Sequence, residues 1–161
     1  MGVVMEKLWY RECRTGRRFI IKIDPGTKIT AALLDFARSK ELQFASLVSA
    51  VGSVRDVEFT GIQAGAHLPM TEARFKTNRL EGPLELIALE GNLTHNTEKQ
   101  ITAQFYIMGS KSSGDVVGGR LVEAEVFTTC EIVLAEYLVQ GIELHRSATS
   151  GVDTIYIEEQ W

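Results

Sequence analysis

The chemically most suggestive residues lie on one predicted strand and just after the glycine-rich loop that follows it. Gln104 and Tyr106 are two positions apart in a run that alternates between apolar and polar residues, so they share one face of that strand. Further along the chain, the pair Gly118-Gly119 stands directly before Arg120. Because glycine lets a backbone approach its neighbours closely, this pair could direct Arg120 into a cleft.

These side chains suggest binding chemistry for an anion. A guanidinium beside a phenol and an amide offers a suitable set of donors to a carboxylate. Gln104, Tyr106 and Arg120 are therefore candidate ligand-binding residues. Glu123 is a fourth candidate, because it could instead pair with Arg120 and neutralise it. The alternative is a polar cluster without a ligand.

The loop before Arg120 also has a purely structural interpretation. Residues 112–115, which include Gly114, are typical of a hairpin turn, and Gly118 and Gly119 of a bend or bulge beside the next strand. It is not a phosphate-binding loop, because no Gly-Lys-Ser/Thr follows. A plain turn and a turn that directs Arg120 into a cleft both remain open.

The sequence predicts no catalytic residue, no metal site and no cofactor. The carboxylates Glu123 and Glu131 are eight positions apart, about 27 Å along a strand, which is too far to act as one pair. The three histidines are distant from one another, and neither His-x-His nor Cys-x-x-Cys occurs. Catalysis is therefore the weaker hypothesis.

Composition and charge exclude several classes of protein. The chain has 161 residues, 45% of them hydrophobic, and a formal net charge of −4. This is ordinary globular composition, and a protein that coats nucleic acid would be basic. Arg14, Arg17 and Arg18 form a small basic cluster on the first predicted hairpin. They could bind DNA phosphates, or they could form a solvated tip.

The start of the chain carries no pattern of an export signal, and no apolar run reaches the roughly 18 residues of a membrane span. We therefore expect a cytoplasmic protein without a membrane partner. Cys13 and Cys130 would then be two thiols, whereas a secreted chain could join them in a disulfide.

Periodicity predicts one α-helix among many strands. The first hairpin is expected to have its turn at Thr15-Gly16, and the helix to follow Thr27 as N-cap and to end near Lys40. Apolar or alternating runs then predict strands at residues 44–51 (ending at Gly52), 84–93, 101–108, 126–134 and 154–157. Beyond the break at Gly52, the pattern continues at Val54, Val57 and Phe59. The expected fold class is α+β, a mainly antiparallel sheet with flanking helices, in a single domain of residues 1–161.

Four segments in register resemble a known family, the PPC (plants and prokaryotes conserved) domain. They are residues 45–57 (ASLVSAVGSVRDV), 81–92 (EGPLELIALEGN), 113–121 (SGDVVGGRL) and 128–134 (TTCEIVL). The resemblance covers residues 8–137, and residues 138–161 form a C-terminal extension. It implies an α+β fold around an antiparallel sheet, a homotrimer, and a role in DNA binding or in protein–protein association.

The departures from the family pattern concern its metal ligands. Many members carry histidine-x-histidine on the strand before the glycine-rich loop, and a histidine after the double glycine. The matching positions here are Gln104, Tyr106 and Arg120. A guanidinium is permanently charged and repels a cation, so we expect no metal centre at these positions. The C-terminal segment has two possible roles, a subunit contact or a strand at the edge of the sheet, and its apolar residues are Tyr156, Ile157 and Trp161.

Overall fold

The computed structural model describes residues 2–5 and 8–158, with side chains from residue 8 onward. Within these residues the chain forms ten strands, one α-helix and a short 3-10 turn at Glu72–Arg74. In chain order the elements are β1 (Gly2–Met5), β2 (Leu8–Arg11), β3 (Arg14–Ile23), α1 (Ile29–Ser39), β4 (Phe44–Ile62), β5 (Phe75–Leu80), β6 (Leu84–His95), β7 (Ile101–Ser110), β8 (Val116–Leu138), β9 (Ile142–Arg146) and β10 (Asp153–Ile157).

The main sheet is antiparallel and closes on itself. Its order is β3-β8-β7-β6-β4-β5, and β4 also pairs with β8. The pairings of β8 with β7, β7 with β6, β6 with β4 and β4 with β8 therefore complete a ring of four strands. Apolar side chains such as Phe105, Leu89 and Ile132 fill the core. The long β8 pairs with three strands, β3, β4 and β7, and therefore lies at the centre of the main sheet.

The prediction that a strand ends at Gly52 is wrong, because β4 continues to Ile62. Gly52 has a φ of 139°, and the register against β8 shifts between Gly52 and Val54. A Cβ there would lie 1.9 Å from the carbonyl oxygen of Thr129. Glycine therefore marks a β-bulge with a close strand approach, and not the end of a strand.

The first predicted hairpin is also wrong. Thr15 and Gly16 lie inside β3, at a register shift against β8, and the partner of β2 is β1. A Cβ on Gly16 would lie 2.8 Å from side-chain atoms of Glu136. This glycine therefore admits a neighbouring side chain at a bulge, where the sequence suggested a turn.

The helix forms close to where it was predicted, but its N-terminus differs. The N-cap position is Lys28, and neither Lys28 nor Thr27 supplies a side-chain cap. The carboxylate of Glu123 accepts hydrogen bonds from the backbone N–H groups of Thr30 (2.8 Å) and Ala31 (3.1 Å) instead. Two of the unpaired donors at the helix start are thus satisfied from β8. The apolar face of the helix buries three residues: Ile29, Leu33 and Ala37.

The described fold is a mostly antiparallel sheet with one α-helix in a single domain, which agrees with the expected α+β class, although α1 is the one α-helix that flanks the sheet in the described residues. The other predicted strands are present, and β10 matches the predicted last strand. Tyr156 and Ile157 lie in β10, which pairs with β9, whereas Trp161 lies outside the described residues. In the described part of the chain, no helix is long and apolar enough to cross a membrane.

Candidate functional site

Three residues on three neighbouring strands form a row across the sheet. Arg120 of β8 lies opposite Tyr106 of β7 on one side and opposite Thr60 of β4 on the other. Directly opposed residues of antiparallel strands share a face, with Cβ atoms about 5 Å apart. All three line the same cavity. The structure therefore brings together two of the four predicted ligand-binding residues, Tyr106 and Arg120.

The double glycine explains how the sheet can be this tight before Arg120. A Cβ on Gly118 would lie 2.0 Å from the carbonyl oxygen of Ile107, and one on Gly119 would lie 2.5 Å from that of Thr60. The two glycines thus let β7 and β4 close onto both sides of β8. The preceding loop is a hairpin turn as predicted, and the backbone N–H of Lys111 donates to Asp115 (2.9 Å).

The cavity beside this row has a volume of about 460 Å³. Its wall is mostly apolar and comes from segments to which the sequence analysis assigned no role: Ile62, Leu68, Met70, Phe75 and Val152. Residues 63–74 and the turn between β9 and β10 form its cover, and the backbone N–H of Met70 donates to the carbonyl oxygen of Ser150 (2.8 Å). In the sequence, this part of the wall is visible only as apolar residues on both sides of Pro69. Because these residues follow neither strand nor helix periodicity, the sequence analysis gave them no role.

Arg120 is the partly buried cation of this cavity. Within residues 8–158, no carboxylate oxygen lies within 4.0 Å of its guanidinium. Arg55 and Arg146 differ, since they pair with Glu125 (2.5 Å) and Asp153 (3.1 Å). A partly desolvated cation without a counter-charge is unfavourable, so an anion near Arg120 would be stabilising.

Gln104 and Glu123, the other two predicted residues, point to other partners. The Gln104 amide donates to the carbonyl oxygen of Asp153 (3.3 Å) and thereby ties β7 to β10. Glu123 binds the helix N-terminus, as described above, and its carboxylate also accepts a hydrogen bond from the backbone N–H of Ala124.

A second cavity of about 240 Å³ adjoins the first, and Arg120 and Arg146 line it together.

The three N-terminal arginines are not equivalent. Arg17 forms a two-pronged ion pair with Glu136, through Nε (2.7 Å) and Nη2 (2.9 Å). The Glu136 side chain is only 8% exposed, and its hydrogen bond from Arg17 lowers the pKa of that carboxyl despite burial. Arg18 stacks near Tyr137, while Arg14 is exposed. Arg17 is therefore engaged in the fold.

In residues 8–158, no group of three or more His, Cys, Asp or Glu side chains is placed to hold a metal ion. His145 stacks on Tyr156 with ring centroids 4.4 Å apart, and burial lowers the pKa of His95. Cys13 is exposed and Cys130 buried, and neither forms a disulfide. Burial raises the pKa of the Cys130 thiol to about 11, so it stays protonated at neutral pH.

Several solved structures are similar to this fold. A plant- and prokaryote-conserved protein from Pyrococcus horikoshii is 22% identical, with 99% of both chains covered and a TM-score of 0.75. A metal-containing protein from Archaeoglobus fulgidus is 23% identical, with 89% of this chain and 95% of the other covered and a TM-score of 0.77. A putative DNA-binding protein from Bacteroides thetaiotaomicron is 17% identical, with 91% and 99% covered and a TM-score of 0.75.

No functionally curated protein matches the chain. At these identities the solved structures show a shared fold and no shared activity. The family model for the Plants and Prokaryotes Conserved (PCC) domain matches residues 10–138, nearly the range over which the sequence resembles that family. This match confirms the resemblance, and the chain belongs to the Plants and Prokaryotes Conserved domain family.

Proposed function

We propose that this chain is a homotrimeric, non-catalytic protein that acts through contacts between its copies and with other proteins. The observation that supports this is an apolar strip on the outer face of the sheet, formed by Ile87, Met108 and Val116. Their exposed fractions are 54%, 43% and 52%. Contiguous exposed apolar surface on a folded domain is typical of an interaction site.

The register places the apolar strip on three neighbouring strands. Met108 lies opposite Gly118, and Ser110 lies opposite Val116, so Met108 and Val116 are diagonal neighbours on one face. A register shift between Leu86 and Ala88 leaves Ile87 beside Met108 as well. In the trimer that the family resemblance implies, the strip of each copy would pack against a surface of the neighbouring copy around the three-fold axis.

Sedimentation velocity tests the assembly. We expect the wild type to sediment with the mass of three chains of 17.9 kDa. Met108→Glu buries a charge in the contact and is expected to release monomers. Ser112→Glu adds the same charge in the exposed hairpin turn and is expected to leave the trimer intact. A monomeric wild type, or a trimer that survives Met108→Glu, would contradict the proposal.

DNA binding is the second candidate function. It draws support from the name of the Bacteroides protein and from Arg14 and Arg18, whose side chains form no ion pair with a described carboxylate. The net charge of −4 and the engagement of Arg17 by Glu136 argue against it. Phosphate contacts need clustered cations and weaken steeply with salt. We expect no shift of a labelled duplex at about 50 mM salt. A shift that weakens in Arg14→Ala/Arg18→Ala would establish the DNA role.

A further inference from the structure

We propose that the cavity at Arg120 binds a small amphipathic carboxylate, whose acid group pairs with the guanidinium and whose apolar body fills the 460 Å³ chamber. The site adjoins the apolar strip, because Tyr106 and Met108 are two positions apart on β7 and share one face, but the proposed contacts all come from a single copy of the chain. Its volume falls in the range of small-molecule sites.

The polar part of the site is one cation flanked by two hydroxyl groups. Arg120 lies between Tyr106 and Thr60 in the sheet register, and the three side chains line the chamber together. A guanidinium fork binds a carboxylate through two parallel hydrogen bonds, and both hydroxyls are able to donate further ones. Glu72 and Asp153 line the adjoining cavity with Arg120, but no described carboxylate oxygen lies within 4.0 Å of its guanidinium, which leaves the fork available to an incoming acid group.

The apolar part of the site selects the body of the ligand. Leu68, Met70 and Phe75 line the chamber with the guanidinium, and Val152 of the β9–β10 turn lines it as well. These side chains offer hardly any hydrogen bond to a sugar or a nucleotide. Short anions such as phosphate would leave the chamber wet and gain nothing from apolar burial. The combination favours a carboxylate with an alkyl or aromatic body.

Two segments of the chamber wall are packed on each other through their backbones. Gly151 has a φ of 76°, and a Cβ there would lie 2.3 Å from the carbonyl oxygen of Met70. The backbone of residues 147–152 therefore packs directly on residues 63–74 through Met70 and Ser150. This contact holds the two covering segments together above the row formed by Tyr106 and Arg120.

Isothermal titration calorimetry with octanoate on the full chain tests the proposal. We expect saturable binding with a Kd below about 1 mM. Octanol has the same body without the charge, and acetate has the charge without the body. Both are expected to bind at least tenfold more weakly. Equal binding of octanol would reduce the site to an apolar cavity, and equal binding of acetate would reduce it to a plain anion site. Either result overturns the proposal.

Variants locate the binding. Arg120→Gln is expected to weaken octanoate at least tenfold, whereas Arg14→Gln, at an exposed arginine that does not line the cavity, is the matched control and should change nothing. Ile62→Trp places a large ring at the chamber wall and is expected to abolish binding while circular dichroism stays unchanged. If Arg120→Gln fails to fold, Arg120→Lys keeps the charge without the fork and should weaken binding several-fold. Unchanged affinity in the folded Arg120 variant overturns the proposal.

Discussion

The two ends of β8 differ in whether the arginine at that end is paired with a carboxylate of the protein. Near the C-terminal end, Glu136 is buried and Arg17 of the neighbouring β3 pairs with it through two hydrogen bonds. Near the N-terminal end, Arg120 is partly buried beside an apolar chamber and has no described carboxylate partner. Arg17 therefore stabilises the fold through an internal ion pair. Arg120 keeps its guanidinium available for the ligand proposed above.

Among the substitutions proposed here, glycine to alanine at the two ends of β8 should give the largest difference in the free energy of unfolding. Gly118→Ala places a Cβ 2.0 Å from the backbone oxygen of Ile107, so β7 and β8 must move apart. Gly16→Ala meets side-chain atoms of Glu136, at 2.8 Å, and no backbone atom of β8, so the strands need not separate. We expect losses in the free energy of unfolding of about 3 kcal/mol for the first and about 1 kcal/mol for the second, by urea denaturation. Equal losses would show that backbone approach does not limit the Arg120 end.

The next largest effect is the pH dependence of the stabilisation that the Arg17–Glu136 pair provides. The hydrogen bond from Arg17 lowers the pKa of Glu136 in the folded state. Its stabilisation is therefore present above the ordinary glutamate value of about 4.3 and is lost as the pH falls through the lower folded value. In Arg17→Gln, the ion pair is lost, and only the hydrogen bond from the backbone N–H of residue 17 still opposes the effect of burial on the pKa of Glu136. We expect a lower melting temperature for this variant at pH 7 and a difference from wild type that shrinks toward pH 3.

Arg38→Gln is the matched control, because its partner Asp35 is 78% exposed. An exposed pair contributes little, so its melting curve should follow the wild type at every pH. If Arg17→Gln behaves like Arg38→Gln, the pair with Glu136 is not structural and the contrast between the two ends of β8 disappears.

Glu123 separates capping from ligand binding on the same strand. Glu123→Ala leaves the N–H groups of Thr30 and Ala31 without their acceptor. We expect a loss of about 1 kcal/mol in the free energy of unfolding, typical of a lost helix cap, together with unchanged octanoate affinity. A changed affinity with unchanged stability would return Glu123 to the Arg120 site.

The smallest effect on stability is expected at Arg120 itself. Because the guanidinium has no described carboxylate partner, Arg120→Gln removes no ion pair. The free energy of unfolding should stay within about 0.5 kcal/mol of the wild type in the absence of ligand. A large destabilisation would mean that Arg120, like Arg17, belongs to the internal framework of the domain.

The sequence predicted much of this fold because period and turn chemistry are local signals. The helix after Pro25, β6, β7 and the hairpin turn before β8 all follow from residues within one element. The bulges at Gly16 and Gly52 were misjudged, because a glycine at a close strand approach has the same local pattern as one in a turn.

The candidate site was predictable only in part. Tyr106 and Arg120 follow from a strand and its hairpin, whereas Glu123 caps a helix 93 positions away along the chain. Arg17 and Glu136 are 119 positions apart. The apolar wall at Leu68 and Met70 comes from an irregular segment, whose contacts depend on the turn after β9. Such pairings are decided by tertiary packing and leave no periodic trace in the sequence.

The cap that β8 places on α1 has a consequence for how the chain reaches its native state. An isolated helix of 11 residues is marginal in water, and here the acceptor for its first N–H groups is synthesised more than 90 residues later. While the ribosome is still producing β4 to β7, the helix therefore lacks its final partner. Folding of the N-terminal half must wait for β8, and a chain truncated before Glu123 should remain without a stable α1.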